Sequence, residues 1–160
     1  MRIFLINLLD VFILSIVCGI FSIEVIVFGK RKIHHKKGIV YLNQYHIVFC
    51  PKYRRKVLVG DIERDLKRIF EEVAKEHDVQ IKAMEIMPDH VHLFISFDPR
   101  QHLHKIIQAF KGKSSRILRE KYPSLKSRLP SLWTRSYFCC TVGYISEEAV
   151  KQYIENQKNV

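Results

Sequence analysis

The sequence predicts an α+β fold, a ferredoxin-like βαββαβ split sheet with an added C-terminal helix. Three observations predict it. Four segments are rich in β-branched and aromatic residues, and other, longer segments repeat apolar residues at helical spacing. Along the chain these segments follow one another as strand, helix, strand, strand, helix, strand and a last helix. Such a fold places its helices on one face of the sheet and leaves the other face open for a ligand. The 160 residues suffice for one such domain.

The first strand and the first helix follow from composition and periodicity. Residues 40–50 are aromatic and β-branched and end before Pro51, which is typical of a strand. A basic turn follows. Residues 62–77 carry apolar side chains at helical spacing behind Asp61, a residue type that favours helix N-caps. These patterns predict one strand and one amphipathic helix.

A hairpin is predicted next, and a helix, a strand and a last helix complete the domain. Residues 79–87 and 90–97 are two β-rich runs separated by Pro88 and Asp89, which favour a turn. The second helix begins near Leu103 and is basic on its outer faces. The remaining segments are a polar connection with Pro123 and Pro130, a strand at 136–142, and a helix after Ser146 that runs to about 158.

Charge and cysteine usage narrow the class of partner. Lys and Arg number 27 against 16 Asp and Glu, a formal charge of +11, which favours nucleic acid or an anionic membrane as partner. The four cysteines show no C-x-x-C spacing, so neither a zinc site nor a disulfide framework is predicted. Free thiols are typical of a reducing compartment, and the prediction is a cytoplasmic protein.

The first 33 residues differ from the rest and are predicted to form a hydrophobic N-terminal extension, with the functional domain at 34–160. Residues 11–23 are thirteen residues without a charge, whereas a membrane-spanning helix needs about 20 apolar residues. Two interpretations stay open: a weak membrane anchor that leaves the domain cytoplasmic, and upstream sequence read from a misplaced start. A membrane is a partner only under the first interpretation.

Two histidines in the predicted third strand could carry chemistry. His90 and His92 are two residues apart, so both imidazoles lie on one face while the apolar residues lie on the other. Two imidazoles form half of a site for a divalent ion, which carboxylate, amide or water oxygens could complete. The alternative is a pair of ordinary surface histidines. Asp89 either tunes His90 or simply makes the turn.

The last helix offers a nucleophile. Tyr153 and Gln157 are four residues apart and share a helix face, so a phenol and an amide oxygen could approach one phosphate or metal. The alternative is the apolar packing stripe of a terminal helix. The chain has no G-x-x-x-x-G-K-[ST] loop, so chemistry driven by a bound nucleotide is not predicted.

Three separated motifs resemble a known family. YHIVFCPKYRRKVL (45–58), MPDHVHLFI (87–95) and TVGYISEEAVKQYIENQ (141–157) are similar to the TnpA-like single-tyrosine HUH transposases of bacterial insertion sequences. The resemblance implies that His90, His92 and Gln157 are ligands of Mg²⁺ or Mn²⁺ and that Tyr153 is the nucleophile. It implies cleavage and rejoining of single-stranded DNA through a 5′-phosphotyrosine, and a homodimer whose active sites are shared between subunits.

The resemblance also gives the basic residues a role in holding hairpin DNA ends, although each one could instead be a solvated surface charge. The expected DNA-binding residues are Lys52, Arg54, Arg55, Lys56, Lys111, Lys113 and Arg116. Three other functions remain open. They are a non-catalytic module that binds single-stranded nucleic acid, a domesticated enzyme such as a REP-associated tyrosine transposase, and a membrane-tethered derivative.

Overall fold

The structure is a computed structural model that describes residues 34–141 together with residues 151, 154 and 155. The predicted N-terminal extension, residues 1–33, lies outside the described residues, and so do Tyr153 and Gln157. None of the helices within the described part of the chain is long and apolar enough to cross a membrane.

Between residues 34 and 141, six strands and three helices follow one another, with a 3-10 turn at Lys52–Arg54 between β3 and α1. They are β1 His34–Lys36, β2 Ile39–Tyr41, β3 Gln44–Phe49, α1 Asp61–Glu76, β4 Gln80–Met87, β5 His90–Ser96, α2 Leu103–Lys121, α3 Pro123–Arg128 and β6 Phe138–Thr141. The central sheet has the spatial order β4-β5-β3-β6, and all neighbouring strands are antiparallel. This order is that of a ferredoxin-like split sheet, so the predicted α+β split-sheet fold is confirmed, whereas the added C-terminal helix with its tyrosine stays a prediction.

The hydrophobic core lies between one face of this sheet and the two long helices. Val91, Leu93 and Ile95 alternate along β5 and are fully buried there, as period-2 side-chain alternation requires. Phe70 of α1 and Phe110 of α2 meet in an edge-to-face contact with ring centroids 5.3 Å apart. Since these side chains fill one face, the intervening β5 residues, the histidines included, belong to the opposite face.

The single strand predicted at 40–50 is wrong in one respect, because the structure divides it into β2 and β3. β2 pairs with β1 in a separate two-stranded hairpin, whose turn contains Gly38 at a φ of 77°. Between the two strands, Asn43 donates a side-chain hydrogen bond to the Phe97 carbonyl oxygen at 3.0 Å. The polar residues Asn43 and Gln44 stand at this change of sheet, and the single predicted strand ran across them.

The polar connection predicted between the second helix and the last strand contains a short helix, α3. Pro123 occupies its first turn, where the missing N–H costs nothing, and Leu125 is buried. Leu129 is buried directly after it. The two leucines attach the segment to the core, which explains why a polar stretch forms a helix.

The C-terminal segment covers part of the face that was expected to be open. Lys151, Ile154 and Glu155 are helical, and the other residues of the predicted last helix lie outside the described residues. Ile154 is fully buried and packs with Phe94, which is also fully buried, and with Ala83. A large apolar side chain such as Phe94 requires a cover on this face, and the expectation of a fully open face is therefore wrong at this point.

Candidate active site

The two histidines of the H-x-H motif lie together on the sheet face opposite the main core. Their ring centroids are 4.9 Å apart and the rings meet edge to face at 73°. The His90 side chain is 19% exposed at the start of β5, next to the β4–β5 turn, whereas His92 is fully buried. The predicted separation of histidines from core side chains is confirmed.

Asp89 combines the two roles that the sequence left open. It belongs to the turn between β4 and β5, and its Oδ1 lies 2.6 Å from His90 Nδ1. Partial burial opposes ionisation of Asp89, but the hydrogen bond from His90 and the charges of His90 and Arg54 outweigh it and hold the pKa of the carboxyl below its usual value. The carboxylate therefore fixes the His90 ring through Nδ1.

His92 is held through the same ring position by a different partner, His46 of β3. His46 Nε2 lies 3.0 Å from His92 Nδ1, and only 6% of His46 is exposed. Burial lowers the pKa of His46 to about 4, and burial with the neighbouring His46 and His90 lowers the pKa of His92 to about 3, so both rings are neutral at pH 7.

His46 was not among the residues that the sequence singled out. The signal was present in the alternation of β3, in which Gln44 and His46 occupy the face opposite Ile47 and Phe49. Finding its contact required the pairing of β3 with β5, in which His46 lies directly opposite Phe94. That pairing depends on long-range contacts, which the sequence of β3 does not reveal.

The residues on this sheet face supply part of the ligand set that a divalent ion needs. Metal-bound histidines normally donate their second ring N–H to an acceptor, and both His90 and His92 have such a partner at Nδ1. Glu85 lies opposite His92 in the β4–β5 register and is 7% exposed. No group of three His, Cys, Asp or Glu side chains within the described residues could hold a metal. A metal here would take two imidazoles and further ligands such as the predicted Gln157.

A basic loop, residues 52–56, is fixed beside this site. Its start is tied by the Lys52 N–H donating to the Leu132 carbonyl at 2.8 Å, and just past its end the Leu58 N–H donates to the Pro88 carbonyl at 3.0 Å. Tyr53 and Arg54 adopt left-handed φ values of 60° and 52°, which non-glycine residues rarely do outside constrained loops. The loop therefore has a defined conformation next to the β4–β5 turn.

Arg54 connects the loop directly to the histidine site. Its Nε donates to Asp89 Oδ2 at 3.2 Å, while Asp89 holds His90 through its other carboxylate oxygen. Its side chain is 61% exposed, so this surface ion pair contributes little stability. The contact instead places a positive charge one residue away from the H-x-H motif.

The loop lines a positively charged cavity of about 590 Å³. Arg54, Arg55 and Lys56 are exposed there, and Arg128 of α3 adds a fourth cation to the lining. Arg128 was not among the predicted DNA-binding residues, because it belongs to a segment that the sequence presented as a polar connection. Four cations around one cavity suit the phosphates of a nucleic acid backbone.

The predicted DNA-binding residues of α2 are placed differently from those of the basic loop. The Lys111 ammonium donates to the carbonyl oxygens of Arg135 and Ser136 at 3.3 and 3.1 Å, and its partial burial lowers its pKa. Lys113 pairs with Glu76 at 2.6 Å and with Glu72. Both ammonium groups are engaged within the protein, whereas Arg116 is exposed.

Comparison with protein families gives a match over residues 39–157 to the family described as "Transposase IS200 like". Among curated proteins, the ISDra2 transposase TnpA of Deinococcus radiodurans is 40% identical over 123 residues, which span 76% of this chain and 88% of that protein. The transposase for insertion sequence element IS200 of Salmonella typhimurium is 33% identical over 116 residues, 71% of this chain and 76% of that protein.

Two solved structures share the fold. One is a crystal structure assigned to a transposase from Deinococcus radiodurans, which matches with a TM-score of 0.65 and 35% identity over 78% of this chain and 97% of the other. The second is a REP-associated tyrosine transposase bound to a REP hairpin, with a TM-score of 0.57 over 82% of this chain and 73% of the other. At 13% identity, this second structure shows a likeness in fold alone.

Proposed function

Because the chain belongs to the IS200-like transposase family, we propose that it cuts and rejoins single-stranded DNA at the ends of its insertion sequence through a 5′-phosphotyrosine intermediate. The family membership makes it a transposase. The strand chemistry, the metal and the residues that act are the proposal, and so is a cytoplasmic location, where the chain meets its DNA.

In the proposed cleavage step, the phenol oxygen of Tyr153 attacks the scissile phosphorus. A tyrosine–phosphate bond forms, the bond from phosphorus to the 3′-oxygen breaks, the phenol loses its proton and the leaving oxygen becomes a 3′-hydroxyl. His90, His92 and Gln157 would hold Mg²⁺ or Mn²⁺, which supplies charge stabilisation at the phosphate and favours the ionised phenol. No nucleotide is needed, because the phosphotyrosine bond keeps the energy for rejoining.

The observation that carries this proposal is the construction of one sheet face. Two imidazoles lie there side by side, and each has a partner at Nδ1, as metal-binding histidines do. Ile154, the chain neighbour of Tyr153, is buried on this same face against Phe94, which is two residues from His92. The described part of the last helix thus lies on the histidine face of its own chain, which supports a role for this helix at the site.

Covalent capture of DNA by the full chain tests the proposal. The substrate is single-stranded DNA from the ends that flank the gene, incubated with Mg²⁺ or Mn²⁺, and the product is protein–DNA adduct that survives denaturant. We expect adduct with either metal and none after chelation. If DNA binds but no adduct forms on the correct ends, the chain is a non-catalytic binding module or a decayed transposase.

The basic loop and Arg128 are proposed to hold the DNA backbone. Lys111, Lys113 and Arg116 of α2 stay predicted DNA contacts. One neighbour by fold is a REP-associated tyrosine transposase bound to a REP hairpin, which supports the proposal of a hairpin ligand on this scaffold. Arg55 is exposed at the cavity and has no ion-pair partner among the described residues, so it serves as the test residue. Phosphate contacts give affinity that falls with salt.

We expect Arg55→Ala to weaken binding of single-stranded DNA and to reduce the slope of log affinity against log salt by about 0.7 for each phosphate that the arginine neutralises in the wild type. Fluorescence anisotropy at several salt concentrations measures both quantities. Lys75→Ala is the matched control, because Lys75 is an exposed cation at the far end of α1 from the loop. Equal salt slopes for wild type and Arg55→Ala would remove this residue from the DNA interface.

The proposed homodimer shares its active sites, with the tyrosine of one subunit serving the histidines of the other. Mixed dimers test this arrangement. In a dimer of one His90→Ala chain and one Tyr153→Phe chain, a shared site retains one intact histidine pair facing one intact tyrosine. We expect the mixture to regain up to about a quarter of the wild-type adduct rate, since half of the random dimers are mixed and each has one working site. No recovery would mean that tyrosine and histidines act within one chain.

A further inference from the structure

We propose that His46 is a positioning residue for the metal ligand His92. It accepts the N–H of His92 Nδ1 and thereby fixes the ring tautomer that can bind a metal through Nε2. The inference rests on the proposed metal role of His92. It assigns a function to a buried histidine that is not one of the three proposed metal ligands.

The geometry is that of a hydrogen bond in the plane of both rings. The two ring nitrogens are 3.0 Å apart, the centroids are 5.3 Å apart, and the ring planes differ by only 9°. Parallel rings that overlap face to face with their centroids 5.3 Å apart would not bring a nitrogen of each ring within 3.0 Å. Nearly coplanar rings joined edge to edge account for all three values, and an N–H that points straight at its acceptor makes the stronger bond.

The chemistry of imidazole then selects the direction of this bond. A neutral imidazole has one N–H donor and one acceptor nitrogen, so one of the two rings must donate and the other accept. If His46 donated, His92 would carry its own proton on Nε2, and neither of its nitrogens would have a lone pair to give a metal. If His92 donates from Nδ1, its Nε2 keeps the lone pair. Only the second tautomer is compatible with metal binding.

The choice of partner fits the burial of each histidine. His90 lies near the surface and is supported by a carboxylate, Asp89, whose charge is balanced by Arg54. His92 is fully buried, and a carboxylate in the place of His46 would be a buried charge, which destabilises a fold unless it is paired. A neutral imidazole accepts the same proton without that cost. Both histidines thus have a hydrogen-bond partner at Nδ1, which is a carboxylate for the partly exposed His90 and a neutral imidazole for the buried His92.

The tautomer is measurable in the full wild-type chain without metal or DNA. Long-range ¹H–¹⁵N spectra distinguish a protonated ring nitrogen from an unprotonated one. We expect His92 to be protonated at Nδ1 and unprotonated at Nε2, and His46 to be unprotonated at Nε2. The opposite pattern at His92, with the proton on Nε2, would overturn the inference.

Two variants separate positioning from packing. His46→Leu fills the space but accepts no hydrogen bond, and we expect about 10–100-fold weaker Mn²⁺ affinity and a His92 ring that no longer holds its proton on Nδ1. His46→Gln offers an amide oxygen near the position of Nε2, and we expect Mn²⁺ affinity and tautomer close to those of the wild type. Thermal unfolding of both variants checks that they fold.

The outcomes distinguish this inference from the function on which it rests. Mn²⁺ affinity unchanged in His46→Leu would contradict the positioning role while wild-type adduct formation stays intact. Absence of adduct from the wild type would contradict the proposed function, and the wild-type tautomer would still decide whether His46 accepts from His92. If His46→Leu does not fold, the wild-type spectra and His46→Gln carry the test.

Discussion

Tyr153→Phe is expected to abolish the covalent protein–DNA adduct, with a fall of more than about 10³-fold in its rate, while leaving the affinity for single-stranded DNA unchanged. The change removes only the oxygen that would attack phosphorus. Phenylalanine has no side-chain nucleophile, so residual adduct should be undetectable. Denaturing gels measure the adduct, and anisotropy under the same conditions measures binding.

The control for this prediction is Tyr53→Phe. Tyr53 is 66% exposed in the basic loop and directly precedes Arg54, which contacts Asp89, so it is the described tyrosine chosen as the alternative nucleophile. We expect Tyr53→Phe to form adduct at the wild-type rate. Adduct that survives in Tyr153→Phe and disappears in Tyr53→Phe would transfer the nucleophile to the loop and contradict the assignment.

His90→Ala is expected to lower the rate of metal-dependent adduct formation by about 100-fold or more, because a metal at such a site is worth several kcal/mol of transition-state stabilisation. His90 is the better choice of the two histidines for this test, since it is partly exposed and its loss leaves the main core untouched. Adduct rates against Mn²⁺ concentration show whether raised metal restores part of the loss.

His102→Ala is the matched control, because His102 is exposed at the start of α2 and makes no side-chain cap there. It should match the wild type in both rate and metal dependence. If His90→Ala formed adduct at the wild-type rate across the Mn²⁺ range, the H-x-H pair would be a structural feature of the sheet and the metal mechanism would be wrong.

The parts of the fold that the sequence predicted are those set by local patterns. Helical spacing and strand alternation depend on neighbouring residues. The elements α1, β4 and β5 lie within a residue or two of their predicted ranges, and α2 begins at the predicted Leu103. The same alternation placed His90 and His92 on one face. The Pro88–Asp89 turn followed from residue types that favour turns.

The parts that were missed depend on contacts between distant segments. The break between β2 and β3 follows from the pairing of the two strands with different sheets. The helix α3 forms because Leu125 and the following Leu129 reach the core. His46 becomes important only through the register of β3 against β5. Ile154 covers Phe94 from the far end of the chain. Each of these features is decided by tertiary packing, which single-sequence patterns do not contain.

The basic residues illustrate the same division at the surface. The sequence treated the loop at 52–56 and the lysines of α2 as one class of cation. The structure separates them, because Lys111 and Lys113 have partners within the protein whereas Arg55 and Lys56 line the open cavity with Arg128. Salt-dependent binding is therefore expected to respond most to the cavity residues.

The polarity of the covalent product tests the central claim most directly. Single-stranded DNA from the element's end is labelled in parallel samples at its 5′ or its 3′ terminus, incubated with the full chain and Mg²⁺, and the adduct is digested and mapped by mass spectrometry. We predict that the adduct retains only the 3′ label, that the released fragment ends in a 3′-hydroxyl, and that the DNA phosphate is attached to Tyr153. An adduct that retains the 5′ label, or one attached to any other residue, would contradict the 5′-phosphotyrosine mechanism.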